Sequence, residues 1–114
     1  MKKLRNFTLI IICLYSQVNI GDDKIDPVDI FCGNVEFTAE AVMTSRQKGS
    51  SLNKVMKIFN GKLKGPNKIA ANAIIISAFK VPITSNNKNK LIDSFTNNWV
   101  IACYEKYQYL RSKQ

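Results

Sequence analysis

Cysteine placement constrains this chain more than any other feature. The sequence carries Cys13, Cys32 and Cys103, an odd number. Cys13 lies in an N-terminal segment, MKKLRNFTLIIICLYSQVNIGDD, laid out like a secretory signal. A basic start at Lys2, Lys3 and Arg5 precedes an apolar core from Phe7 to Tyr15. That core suits a signal peptide's apolar region of roughly 7–15 residues and is shorter than the ~20 a membrane-spanning helix needs. Residues 1–21 therefore read as a signal peptide, with cleavage near Ser16 or, as second choice, Gly21. Its removal takes Cys13 away and leaves a matched pair. Two distant cysteines in an oxidising compartment are expected to form a structural disulfide. Closing a loop of about 70 residues is worth roughly 4 kcal/mol in the loop-entropy model. That is a large share of the ~5–15 kcal/mol that holds a small domain together. The competing readings are an uncleaved anchor with the apolar run carried to Ile20, a lipidated Cys13, and two buried free thiols at Cys32 and Cys103.

The chain beyond the signal is long enough for one domain with one modest core. It contains neither repeats nor a low-complexity linker. Its charge is unevenly placed. Between Asp22 and Glu40 stand six acids (Asp22, Asp23, Asp26, Asp29, Glu36, Glu40) against Lys24 alone. From Ala41 to Ile92 there is no acid and there are ten basic residues: Arg46, Lys48, Lys54, Lys57, Lys62, Lys64, Lys68, Lys80, Lys88 and Lys90. Such asymmetry builds a positive face for an anionic partner: phospholipid, lipopolysaccharide, glycan or acidic protein. The plainer reading is a solvated surface neutralised in part by the chain's own acidic segment. No nucleic-acid motif accompanies the charge, and nucleic acid is not an expected partner.

Residues 22–33 read as an extended acidic lead-in, 34–110 as a single helical domain and 111–114 as a tail. Asn34 is a good N-cap, with Glu36 placed for the helix dipole. Phe31, Val35, Ala39 and Val42 recur at helical spacing, and Gly49 closes the run. Ser50 or Ser51 caps a second, short helix with Leu52, Val55, Met56 and Phe59 on one face and Asn53, Lys54, Lys57 and Asn60 on the other. Gly61 ends it. After a polar turn, Pro66 stands at a helix start. Residues 67–81, NKIAANAIIISAFKV, are apolar on almost every side, which marks the most buried element. The run AIIISAFKV also fits a buried strand, but its length and alanine content favour helix until Pro82 stops it. The last helix starts near Asn87 or Asn89 and reaches about Leu110. Its inner stripe is Ile92, Phe95, Trp99, Ala102 and Cys103, extended by Tyr107 and Leu110. The sum is an all-α fold, a compact bundle of about four helices closed by one disulfide that sets the first and last helices side by side and antiparallel.

Catalytic chemistry finds little footing. The absence of histidine removes the commonest general base and every Ser-His or Cys-His nucleophile. Cysteines committed to a disulfide cannot bind zinc, so neither metal nor cofactor is expected. Glu36 and Glu40 share one helical face and could converge as a carboxylate pair; the favoured reading is a dipole-friendly first turn and a solvated surface. Arg46 and Gln47 could act as recognition groups, since arginine presents a rigid fork to carboxylate or phosphate; the alternative is that Arg46 caps carbonyls and pairs within the chain. Tyr104 and Tyr109 fall off the apolar stripe and are expected at the surface, suited to a partner. The candidate binding residues are thus Arg46, Lys54, Lys57, Lys62, Lys64, Lys68, Tyr104 and Tyr109.

The pattern of Cys32, then Ala41-Val42-Met43-x-x-Arg46-Gln47-x-Gly49, then Phe95-x-x-x-Trp99-x-x-x-Cys103 resembles a group of small exported proteins of bacteria and their phages. The resemblance implies architecture and carries no activity. In layout the chain is also similar to periplasmic acid-stress chaperones and to phage-encoded periplasmic lysozyme inhibitors. The expectation is therefore a periplasmic or secreted binding protein without enzymatic activity. Its basic middle region would contact an anionic envelope component or another protein, with no transmembrane span after processing. The alternatives are a stress chaperone that switches through carboxylates and an inhibitor of a cell-wall lytic enzyme.

Overall fold

The computed structural model describes residues 26–112, with side chains through residue 108. The signal segment, Cys13, Asp22 and Asp23 lie outside the described residues, as do the side chains of Tyr109 and Leu110 and the last residues of the tail. Four helices, and no strand, make up the regular structure of the described residues.

Helix α1 (Pro27–Gln47) begins earlier than its sequence pattern suggests. Asp26 is extended at φ −67° and ψ 122°, and its side chain accepts from the Val28 amide at 2.9 Å. Pro27 then enters at a position where no amide donor is needed, and Asp29 lies in the dipole-favoured first turn. This Asp-Pro pair outcompetes Asn34 as the start signal. Residues 27–33, expected as extended lead-in, are helical, and they carry Val28, Phe31 and Cys32 on the apolar register of Val35 and Ala39. At the other end Gly49 adopts φ 91°, a conformation that costs glycine little. Gly49 N donates to Arg46 O and Ser50 N to Ser45 O, both at 3.0 Å, which satisfies the last carbonyls in a Schellman arrangement.

Helix α2 (Leu52–Asn60) is capped by Ser51, whose hydroxyl accepts from Lys54 N at 3.2 Å. Helix α3 (Gly65–Phe79) opens through Gly65 and Pro66 and gives out at Lys80, before Pro82. Helix α4 (Lys88–Ser112) follows Asn87, which adopts φ 56° and accepts from Leu91 N at 3.0 Å. Asparagine tolerates that left-handed conformation better than most residues.

Helix α1 is the centre of the fold. Its Cys32, Val35, Ala39, Val42 and Met43 are buried. They meet Ile74, Ile75 and Ala78 of α3 on one side and Phe95 and Cys103 of α4 on the other, while Val55 of α2 joins the same core. The Cys32–Cys103 disulfide bridges α1 and α4 with Cα atoms 5.8 Å apart. Beside it the Phe31 and Tyr107 rings meet edge to face, centroids 5.3 Å apart. Lys88 at the start of α4 reaches the end of α1, its Nζ donating to Gln47 O at 3.2 Å. The two helices are therefore antiparallel neighbours.

Two expectations need correction. Helix α3 is not the most buried element; α1 is. Ile69 is 73% exposed and Ile76 is also exposed. A helix that is apolar all round needs neighbours all round, and α3 has α1 and α2 but almost no contact with α4. For the same reason Ala102, expected on the inner stripe of α4, is exposed. No helix among the described residues is long and apolar enough to cross a membrane.

Candidate functional site

The acid-free stretch folds into the end of α1, then α2, the turn after it, α3, the α3–α4 loop and the start of α4. Lys54 and Lys57 lie on α2, Lys62 and Lys64 in the turn, and Lys68 in the first turns of α3; all five are exposed. The reason is local: Val55, Met56 and Phe59 turn toward the core, and helical periodicity sends Lys54 and Lys57 to the opposite face. The candidate lysines thus share one basic helical hairpin. Between Lys62, Leu63 and Phe59 on this hairpin and Phe37 and Thr38 on α1 lies a shallow cleft of about 220 Å³.

Arg46 and Gln47 do not join that surface. Arg46 is half-buried, its Nε donating to Val81 O at 3.0 Å and its guanidinium stacked 5.1 Å from the centre of the Phe79 ring. Gln47, 3% exposed, is spent inside the chain. Its Nε2 donates to Pro82 O at 3.1 Å and to Met43 Sδ at 3.6 Å, and its Oε1 accepts from Thr84 N at 2.9 Å. The pair that read as recognition groups is a clamp on the loop between α3 and α4, and Arg46 finds a carbonyl there rather than an internal acid.

Tyr104 is likewise engaged and only half-exposed. Its hydroxyl donates to Asp29 Oδ1 at 3.0 Å, tying α4 to the first turn of α1. This bond foremost, then partial burial and the negative charge of Asp29, raises its pKa above the ordinary 10.0.

A feature with no counterpart in the sequence pattern is a groove of about 520 Å³ between α3 and α4, floored by Phe31 and Val35 of α1. Pro66, Ile69 and Ala73 line one side; Trp99, Ala102 and Tyr107 line the other, with Lys106 the one charged lining residue among the described residues. Trp99, expected in the core, is half-buried in this wall. The available signal was the second apolar face of α3, for which no partner helix could be named. Among the described residues no group of three or more His, Cys, Asp or Glu side chains could hold a metal ion.

No family model, curated protein or solved structure matches the chain. The described residues present a basic hairpin beside an apolar groove.

Proposed function

We propose that the chain is an exported, non-enzymatic binding protein that docks through its α2–α3 hairpin on an anionic component of the cell envelope. The observation that carries this reading is the exposure of Lys54, Lys57, Lys62, Lys64 and Lys68 on one helical hairpin without an acid. Two ordered helices and the short turn between them carry these exposed lysines, so their field adds up at a surface instead of being cancelled locally. The buried Cys32–Cys103 bridge supports an oxidising destination, since such bonds persist outside reducing compartments.

The test is sedimentation with vesicles of phosphatidylglycerol and, separately, of phosphatidylcholine across a salt series. Binding is expected to the anionic vesicles alone and to fall as salt rises. Each lysine near an anionic surface is worth about 1 kcal/mol. Removing two, as in Lys54→Gln with Lys57→Gln, should weaken binding by about thirtyfold. Salt-independent binding, or none, would dismiss the reading.

A further inference from the structure

We infer that the groove between α3 and α4 is a binding site for the single acyl chain of an anionic amphiphile, with Lys106 facing the ligand's charged end. The inference rests on the binding-protein reading above and names a ligand class for it. At about 520 Å³ the groove falls within the ~300–1,000 Å³ range of small-molecule sites, which are mostly apolar with few polar groups.

Its lining selects the ligand. Ile69, Ala73, Trp99 and Ala102 offer methyl, methylene and ring surface, and no array of donors and acceptors that could read a sugar or a base. An unbranched hydrocarbon chain matches such a surface, because each methylene removed from water contributes without needing a directed partner. Besides the Trp99 ring N–H, the polar groups of the lining side chains are the Lys106 ammonium and the Tyr107 hydroxyl, so the one charge an occupant meets there is positive. Lys64 and Lys68, both exposed, adjoin the lining residues Gly65 and Ile69 in sequence and add positive charge to that end of α3. Charge complementarity thus asks for an anion on an otherwise apolar molecule.

The walls are held ready for it. Phe31 packs on Tyr107 and Cys103 is bonded to Cys32, so floor and α4 wall are one fixed unit. The α3 wall rests on α1 through Ile74, Ile75 and Ala78. Ile69 can therefore stand 73% exposed without a neighbour from α4 to cover it.

Trp99 is the only tryptophan of the chain and lies in the wall, which gives a direct readout. Dibromostearate, added below its micelle concentration to the oxidised protein, is expected to quench Trp99 fluorescence saturably. Its methyl ester, which lacks the charge, should bind about tenfold more weakly. Ala73→Phe fills the groove and Ile69→Asp puts a carboxylate on its wall; both positions are exposed, so circular dichroism should report intact helices. Each should weaken quenching by about tenfold or more. Lys106→Gln should bring the acid's affinity down to that of the ester. The Lys54→Gln, Lys57→Gln protein should show the weakened vesicle binding and keep quenching, which separates failure of the groove from failure of the basic hairpin. Inorganic phosphate should neither displace the bromolipid nor change the fluorescence. Absence of saturable quenching in the unaltered protein, quenching unchanged by both groove variants, or equal affinity for acid and ester would overturn the proposal. So would a dimer that Ala73→Phe converts to monomer, since a second copy would then fill the groove.

Discussion

Helices α1 and α4 are joined at two places by different chemistry. Toward the start of α1, the Cys32–Cys103 bond makes the connection, with Phe31 and Tyr107 edge to face beside it. At the end of α1, Gln47 holds Pro82 O and Thr84 N while its own carbonyl accepts from Lys88, and Arg46 holds Val81 O. The first tie acts mainly on the unfolded chain, whose freedom it reduces, and it responds to redox conditions. The second exists only in the folded chain and depends on each partner being in place, because a buried amide left without a partner carries the full cost of its desolvation. One end of the bundle is thus fixed by a bond that tolerates local movement. The other is fixed by geometry that does not.

Breaking the covalent tie should have the largest effect. Cys32→Ala with Cys103→Ala, or reduction of the native protein, is expected to cost about 2–5 kcal/mol in denaturant unfolding. Without reductant the unaltered protein should show a single transition at a higher midpoint. Breaking the polar tie comes next. Gln47→Ala removes two bonds to the loop and strands a carbonyl and an amide, so a loss of about 1–3 kcal/mol is expected. Amide exchange should distinguish the two ends: Gln47→Ala should speed exchange at Thr84 and leave the α1 amides around Cys32 protected. Equal acceleration at both would mean that the ties are not separate.

The smallest effect sharpens the comparison at the covalent end. Tyr104 donates to Asp29 as the neutral phenol, and its folded pKa is raised. A group with a raised folded pKa adds stability that is whole below its unfolded value, here 10.0, and is lost as pH climbs through the folded value. The thermal midpoint of the unaltered protein should therefore fall in strongly alkaline solution. Tyr104→Phe should sit slightly lower at neutral pH and converge with it at high pH. Equal midpoints at neutral pH would show that Tyr104 contributes by ring packing alone.

Much of this fold was legible from local chemistry. Ser51, Gly49 and Pro82 punctuate the chain through rules that need only a few neighbouring residues, and the cysteine pair gave the neighbours α1 and α4. The start of α1 is harder to read, because Asn34 has the chemistry of a cap yet lies within a run already helical, while the Asp26-Pro27 signal stands before the Phe31, Val35 and Ala39 periodicity. Gln47 was harder to foresee. Its partners lie 35 and 37 residues away in a loop, and nothing about a glutamine in sequence distinguishes a clamp from a recognition group. The basic hairpin could be read as a charge pattern, whereas the groove could not. It arises from two helices that flank α1 and scarcely meet, a relation that hydrophobic periodicity does not encode.

The disulfide also has a topological consequence. Its two cysteines are 71 residues apart, and α2, α3 and the three connections between the helices lie inside the covalent ring it closes. The exposed Lys62 and Lys64 mark a turn that a trypsin-like protease could cut. A cut there opens the ring but frees nothing. The two fragments remain one molecule, shifted in mass by a single water, until a reductant releases them.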